Sequence, residues 1–289
     1  MKKITDYTNE NNEKVLNVIK ERICINENDD FPGEYVVFVA YMMYKLITDW
    51  KGKSEEEFYA LLSDEHFNIL HNKVRDELDK RINWDEFIKI TESFTEDELV
   101  SFIMTYQDST YNSDPTQFCI LELIDKILNI KKDDNVIEYS SVDSEFTYYS
   151  LQKHPSNYYT SYVASDIMQD ASHVKMNLLN IDGTVVWDDD FSDLMMGGDL
   201  PDKVFVNYII NWREYKHCDE LNKMLHTVWS EYTRKFSNPI CLAGIISAVL
   251  NEKGRAVMFV NAGHLSGGES EEARRILVES KNVKGVIAL

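Results

Sequence analysis

The chain has 289 residues, of which 30 are basic and 50 acidic, and its formal net charge is −20. This acidic excess argues against nonspecific binding to nucleic acid, because cationic contacts to phosphate supply most of that affinity. Solubility is the commoner reason for an acidic surface. No window of the sequence reaches about 18 apolar residues, so neither a signal peptide nor a membrane span is expected.

The four cysteines give no sign of a metal or redox site. Cys24, Cys119, Cys218 and Cys241 are far apart and form no paired CxxC motif, so they are interpreted as small buried apolar residues. No metal site is predicted from them or from the histidines. A cytoplasmic location is expected.

The first part of the chain, up to about residue 106, shows only helical periodicity. Val15, Leu16, Val18 and Ile19 share one helical face, and the apolar segment 35–50 predicts a buried helix after the Pro32-Gly33 break. The helices predicted for this part are 7–23, 35–50, 55–62, 66–81, 84–91 and 96–105. We predict a helical N-terminal domain over residues 1–108.

Short apolar runs alternate with helical patterns in the rest of the chain. A helix at 116–128 follows the break around Pro115. The predicted strands are 136–139, 158–163, 185–187, 203–208, 255–260 and 283–289, and the predicted helices between them are 166–179, 219–231, 240–251 and 270–281. Such alternation favours an α/β fold with a mostly parallel sheet, here assigned to residues 109–289.

Three blocks of sequence resemble the adenine-specific N6 DNA methyltransferases, in particular the modification subunit of type I restriction systems. They are Gly33–Asp49, the helix Asp166–Gly183 with its Lys175-Met176-Asn177-Leu178 segment, and Gly254–Ser266. They occur in the family's order and span nearly the whole chain. The resemblance implies a Rossmann-like sheet that binds S-adenosylmethionine. It also aligns residues 285–289 with a family strand after which further strands usually follow, so an incomplete sheet is expected.

The family's glycine-rich cofactor loop aligns with Glu138–Phe146, where only Phe146 matches. Glu138 takes the place of the leading Asp of the motif. Val142 and Ser144 introduce Cβ atoms where such a turn needs positive φ or close approach to the cofactor. A capping or solvated role for Glu138 is the alternative to cofactor binding.

Two further positions are assigned to the cofactor by the resemblance. Ser165 aligns with the ribose contact, and Asp166 beside it could accept hydroxyl hydrogen bonds; the alternative is a cap for the following helix. Asp189, within the run Asp188-Asp189-Asp190, aligns near the residue that contacts the cofactor base; a solvated turn is the simpler interpretation.

The family's catalytic Asn-Pro-Pro-aromatic motif aligns with Asn207-Tyr208-Ile209-Ile210. The chemistry needs two acceptors for the target amino group and a ring that stacks on the flipped base. Asn207 retains one acceptor and Tyr208 still offers its carbonyl, but the two prolines and the aromatic are replaced. A shifted register with Tyr208 or Trp212 as the stacking ring remains open.

Tyrosines are concentrated around the predicted strand 136–139, which precedes the aligned cofactor loop. Tyr148, Tyr149, Tyr158, Tyr159 and Tyr162 are predicted to form one cluster that fills the volume of the cofactor.

These features predict a restriction–modification methyltransferase subunit that has lost catalysis and acts as a structural or regulatory subunit. Its partners would be other subunits of such a system or a second copy of the chain, with DNA reached through a partner. Two alternatives remain: an active adenine methyltransferase with an unconventional loop, and an acidic decoy that binds a defence complex in place of DNA.

Overall fold

The structure is a computed structural model. It describes residues 7, 10, 12–24, 33–49, 54–63, 74–76, 78, 82–106, 117–141, 144–163, 165–187, 200–207, 218–234 and 239–288. The chain forms two compact units, one of residues 1–118 with 166–182 and the other of residues 119–165 with 183–289. The boundary predicted at residues 108 and 109 lies outside the described residues.

The first unit is helical throughout its described part. Its elements are α1 (Asn12–Val18), a π-helical turn (Ile19–Cys24), α2 (Gly33–Thr48), α3 (Glu55–Ser63), α4 (Trp84–Thr91), α5 (Glu96–Thr105) and, later in the chain, α8 (Asp166–Leu179). Helix α2 is buried from Val36 to Met43 and packs against α4, α5 and α8. The expected buried helix is therefore the centre of this core, although α8 had been assigned to the second domain.

Local sequence explains where two of these helices begin. The Asn83 side chain accepts a hydrogen bond from the Glu86 N–H, and Thr95 and Glu98 form a reciprocal capping box. Each satisfies N–H groups that a first helical turn leaves without a partner. None of the described helices has the length and apolar composition that crossing a membrane requires.

The second unit is built on a five-stranded parallel sheet of order β3-β2-β1-β4-β5. The strands are β1 (Asn135–Ser141), β2 (Tyr158–Val163), β3 (Thr184–Trp187), β4 (Lys203–Val206) and β5 (Arg255–Met258). The predicted α/β class and parallel sheet are thus confirmed. The order matches that of Rossmann-like folds, in which it reverses between two central strands.

Helices accompany this sheet on both faces. They are α6 (Phe118–Leu128), α7 (Glu145–Lys153), α9 (Cys218–Val228), α10 (Pro239–Val249), the short α11 (Ala262–Ser266) and α12 (Glu271–Glu279). Ile137, Tyr139, Val204 and Val206 point toward one face and pack with the buried residues of α9, α10 and α12. Because side chains alternate along a strand, Glu138 and Phe205 point to the opposite face, where α7 lies.

Two elements differ from the sequence-based predictions. Helix α7 was not predicted, because Phe146, Tyr148 and Tyr149 favour strands more than helices in isolation. The strand predicted at 283–289 was wrong for the described residues 283–288, which are neither helix nor strand. Val286 and Ile287 are exposed there, and β-branched composition does not make a strand without a neighbour to pair with.

Candidate functional site at the carboxyl edge of the sheet

The candidate site lies at the carboxyl ends of β1, β2 and β4. In open parallel sheets, ligands bind where the strand order reverses, which here is between β1 and β4. Ser144 follows β1, Asn207 follows β4 and Ser165 follows β2. Three of the regions singled out from the sequence therefore meet at one edge of one sheet.

Glu138 lies within β1 and is buried, with 1% of its surface exposed. Its Oε2 accepts hydrogen bonds from the Thr147 N–H at 2.8 Å and from the Thr147 hydroxyl at 2.7 Å. Thr147 is in the first turn of α7, where N–H groups lack helical partners and the helix dipole favours negative charge. Glu138 therefore caps α7 from the neighbouring strand.

The turn before α7 contains a left-handed serine. Ser144 has φ 60° and ψ 33°, and it is fully buried. A helix usually begins with an extended N-cap residue whose side chain accepts from the first turn. Ser144 makes no such side-chain bond, and Glu138 takes over this function. Ser144 thus has a glycine-like conformation without being glycine, at a cost of about 1–2 kcal/mol.

Aromatic rings pack beside the Glu138 carboxylate. Phe205 is the register partner of Glu138 on β4, and its ring lies 5.1 Å from that of Phe146 and 5.3 Å from that of Phe259, between centroids. Ser161 is the register partner on β2. The carboxylate is therefore enclosed by apolar rings on one side and by hydroxyl groups on the other.

Asn207, the candidate catalytic residue, extends the β1–β4 ladder by one residue. Its N–H donates to the Tyr139 carbonyl at 3.1 Å, while the Phe259 N–H donates to the Val206 carbonyl at 3.1 Å. Asn207 is half-buried at the sheet edge, where its carboxamide has an oxygen that can accept from an amino group. Tyr208 lies outside the described residues.

The remaining predicted cofactor positions are placed only in part. Ser165 is half-buried between β2 and α8, at the position of a helix N-cap. Asp166 is the first residue of α8, and its side chain is outside the description. Asp189 also lies outside the described residues. All of these assignments stay predictions.

The five tyrosines do not form the single cluster that was predicted. Tyr148, Tyr149 and Tyr159 are buried, but Tyr158 is 73% exposed. Tyr162 lies on the opposite face of β2 from Tyr159, with its ring 5.9 Å from that of Tyr139. The prediction failed because neighbouring strand residues point to opposite faces.

Sequence reasoning did not identify Thr147. The pair joins a strand to a helix nine residues later, and no local capping pattern indicates such a partner. Among the residues that the structure describes, no group of three or more His, Cys, Asp or Glu side chains is arranged to hold a metal ion.

Comparison of sequences does not identify a family. No protein-family model matches the chain, and none of the curated proteins is similar to it in sequence.

Comparison of structures places the fold. A protein from Listeria monocytogenes, assigned as a class I S-adenosylmethionine-dependent methyltransferase, matches with a TM-score of 0.55 and 13% identity, over 94% of this chain and 80% of that one. The chain therefore has the Rossmann-like fold of class I S-adenosylmethionine-dependent methyltransferases.

Other matches have lower TM-scores. They include precorrin-6y C5,15-methyltransferase from Geobacter metallireducens, at TM-score 0.41 and 11% identity over 60% of this chain and 80% of that one. Another is an S-adenosylmethionine-dependent methyltransferase from Thiobacillus denitrificans in complex with S-adenosyl-L-homocysteine. It matches with a TM-score of 0.35 and 11% identity, over 50% of this chain and 49% of that one. Both are too distant to support an argument.

Proposed function

We propose that this chain is a noncatalytic methyltransferase-fold subunit related to the modification subunits of restriction systems. It acts in the cytoplasm as a structural or regulatory component, together with other subunits of such a system or with a second copy of itself. DNA is reached through a partner, because the net charge of −20 opposes direct binding to a polyanion. The three sequence blocks that resemble the family support this proposal.

The observation that carries the proposal is the closed start of α7. A nucleotide-type ligand at such a site needs a backbone that it can approach closely and N–H groups or carboxylates that are free to face it. Here Oε2 of Glu138 accepts two hydrogen bonds from Thr147, and the turn residue Ser144 has a buried side chain. The described residues of the loop contribute to the protein interior.

The first experiment is calorimetric titration of the purified chain with S-adenosylmethionine. A noncatalytic subunit gives no heat of binding up to ligand concentrations of about 1 mM, which corresponds to less than about 4 kcal/mol of binding free energy. Micromolar affinity, worth about 8 kcal/mol, contradicts the closed start of α7 on which the proposal is based.

A loop variant tests whether the missing glycines are the reason why the chain does not bind S-adenosylmethionine. Val142→Gly combined with Ser144→Gly restores two residues without Cβ, and it should raise the affinity for S-adenosylmethionine into a measurable range. Asn180→Gly is the matched control, because Asn180 also has a left-handed backbone, with φ 50°, but lies in the other unit. If Asn180→Gly raises the affinity as well, the gain comes from a general increase in backbone freedom rather than from the loop.

A second candidate is an active adenine methyltransferase with an unconventional loop. It is favoured by the left-handed Ser144, which retains the glycine conformation, and by Asn207 at the end of β4. This candidate requires binding of the cofactor and transfer of a labelled methyl group to DNA, with loss of transfer in Asn207→Ala. Binding without transfer instead leaves a cofactor-sensing regulatory subunit.

The partner is tested separately by size-exclusion chromatography with light scattering and by copurification. A homo-oligomer, or a stable complex with a restriction-system subunit, supports the structural role. A chain that stays monomeric and binds no restriction-system subunit contradicts the structural role.

A further inference from the structure

Buried polar side chains line the contact between α7 and the two strands beneath it. At one level Glu138 on β1 faces Thr147 on α7, and Ser161 on β2 is the register partner of Glu138. Neighbouring strands lie about 4.8 Å apart, so the Ser161 hydroxyl is next to the carboxylate. Ser161 and Thr147 are both fully buried.

A second polar level lies further along the same contact. Tyr159 is two residues before Ser161 and therefore on the same face of β2, roughly 6.6 Å away along the strand. Ser150 is three residues after Thr147 and so on the same side of α7. The Ser150 hydroxyl is close to the Tyr159 hydroxyl but outside hydrogen-bond geometry, and it reaches Asp125 on α6 at 3.5 Å.

The second level leads to the protein surface. Asp125 Oδ1 lies 3.0 Å from Nε2 of His154, and because a carboxylate only accepts, that nitrogen carries the proton. The side chains of Asp125 and His154 are 12% and 28% exposed. We call the five residues Glu138, Thr147, Ser161, Tyr159 and Ser150 the polar seam, with Asp125 and His154 at its surface end.

Two hydroxyl groups of the polar seam indicate that it binds water. The Ser161 and Tyr159 hydroxyls are buried and have no hydrogen-bond partner among the described residues. Buried polar groups are nearly always hydrogen-bonded, either to protein or to ordered water, and internal waters typically bind where several polar groups converge. A water molecule can bridge polar groups that lie near one another without a direct hydrogen bond of regular geometry, such as the Tyr159 and Ser150 hydroxyls.

We propose that ordered water molecules bind in the polar seam and join the Ser161 and Tyr159 hydroxyls to the Glu138 carboxylate at one end and to Ser150 and Asp125 at the other. The water gives the capping carboxylate a hydrogen-bonded connection to the partly exposed Asp125–His154 pair. The polar seam shares the Glu138–Thr147 contact with the candidate site, but water can bind there whether or not the chain binds S-adenosylmethionine.

The test combines stability with direct detection of internal water. Ser161→Ala and Tyr159→Phe remove one hydroxyl each. If the hydroxyls bind water, each variant lowers the melting temperature by about 2–4 °C. Each also reduces the number of long-lived internal waters counted by oxygen-17 and deuterium magnetic relaxation dispersion. The double variant lowers the melting temperature by less than the sum of the two single variants, since both hydroxyls hold the same water network.

A control and the opposing results keep the test decisive. Thr160→Ala lies between the two positions but on the other face of β2, so it leaves the relaxation dispersion unchanged. An unchanged or raised melting temperature in Ser161→Ala shows a hydroxyl that binds nothing and overturns the proposal. A lowered melting temperature with unchanged dispersion shows a direct protein partner and overturns it as well.

Discussion

The two faces of the parallel sheet are stabilised by different chemistry. Toward α9, α10 and α12 the strands present Ile137, Val204 and Val206, which pack with aliphatic and aromatic side chains. Toward α7 they present Glu138 and Ser161. One face thus resembles an ordinary hydrophobic core, and the other is partly a buried hydrogen-bond network.

This difference predicts how each face responds to change. On the apolar face stability should follow the volume of the side chains, because the interior is close-packed and collapses only partly around a cavity. On the α7 face it should follow whether every buried donor keeps an acceptor, because an unsatisfied polar group costs more than the bond contributes. Substitutions on the two faces therefore separate the two effects.

The largest effect is expected on the apolar face. Ile245 in α10 is fully buried, and Ile245→Ala should lower the free energy of unfolding by about 2–5 kcal/mol, whereas Ile245→Val should cost about 1 kcal/mol. Urea denaturation followed by circular dichroism measures both. Equal losses in the two variants contradict a volume-dependent face.

The next effect concerns the buried cap. Glu138→Ala leaves the Thr147 N–H and hydroxyl without their acceptor, and it should cost about 1–3 kcal/mol. Glu138→Gln keeps an acceptor oxygen and should cost less. Hydrogen exchange in the first turn of α7 should speed up in the alanine variant only. A larger loss of stability in Glu138→Gln than in Glu138→Ala contradicts a role of Glu138 as hydrogen-bond acceptor.

A smaller effect of opposite sign is expected at Ser144. Its left-handed backbone strains a residue with a Cβ atom, but glycine gains freedom in the unfolded chain. Ser144→Gly should therefore raise the free energy of unfolding by only about 0.5–1 kcal/mol. Ser144→Ala keeps the Cβ strain and serves as the control in the same denaturation experiment. A loss of stability in Ser144→Gly shows that other contacts of the serine outweigh the strain.

The same contrast explains which parts of the fold were predictable from sequence. Helix α8 and strand β2 were predicted with their observed bounds, since their apolar periodicity is regular and local. Helix α7 begins where Glu138 on another element caps it, and no local pattern encodes that contact. The positions of Glu138 in β1, of Ser165 after β2 and of Asn207 after β4 could be predicted by resemblance. The hydrogen bonds from Thr147 to Glu138 depend on three-dimensional packing.

A partly exposed copy of the buried cap gives the smallest effect and the closest comparison. In the first unit, Oε2 of Glu98 accepts from the Thr95 N–H at 2.8 Å and from its hydroxyl at 3.0 Å, as Glu138 does from Thr147. Lys14 lies 2.6 Å from the Glu98 carboxylate. Its hydrogen bond, followed by that of the Thr95 N–H, holds the pKa of Glu98 below the ordinary value.

Because this pKa is lowered on folding, ionised Glu98 stabilises the chain above the ordinary glutamate pKa of 4.5, and the stabilisation disappears as the pH falls through the lowered value. Glu98→Gln keeps an acceptor and should cost only about 0.5 kcal/mol at pH 7, as for other exposed ion pairs. The difference in free energy of unfolding between Glu98→Gln and the unmodified chain should vanish in acid. Denaturation measured across this pH range checks that the difference decreases as the pH falls. If Glu98→Gln proved as costly as Glu138→Ala, burial would not explain the difference between the two caps.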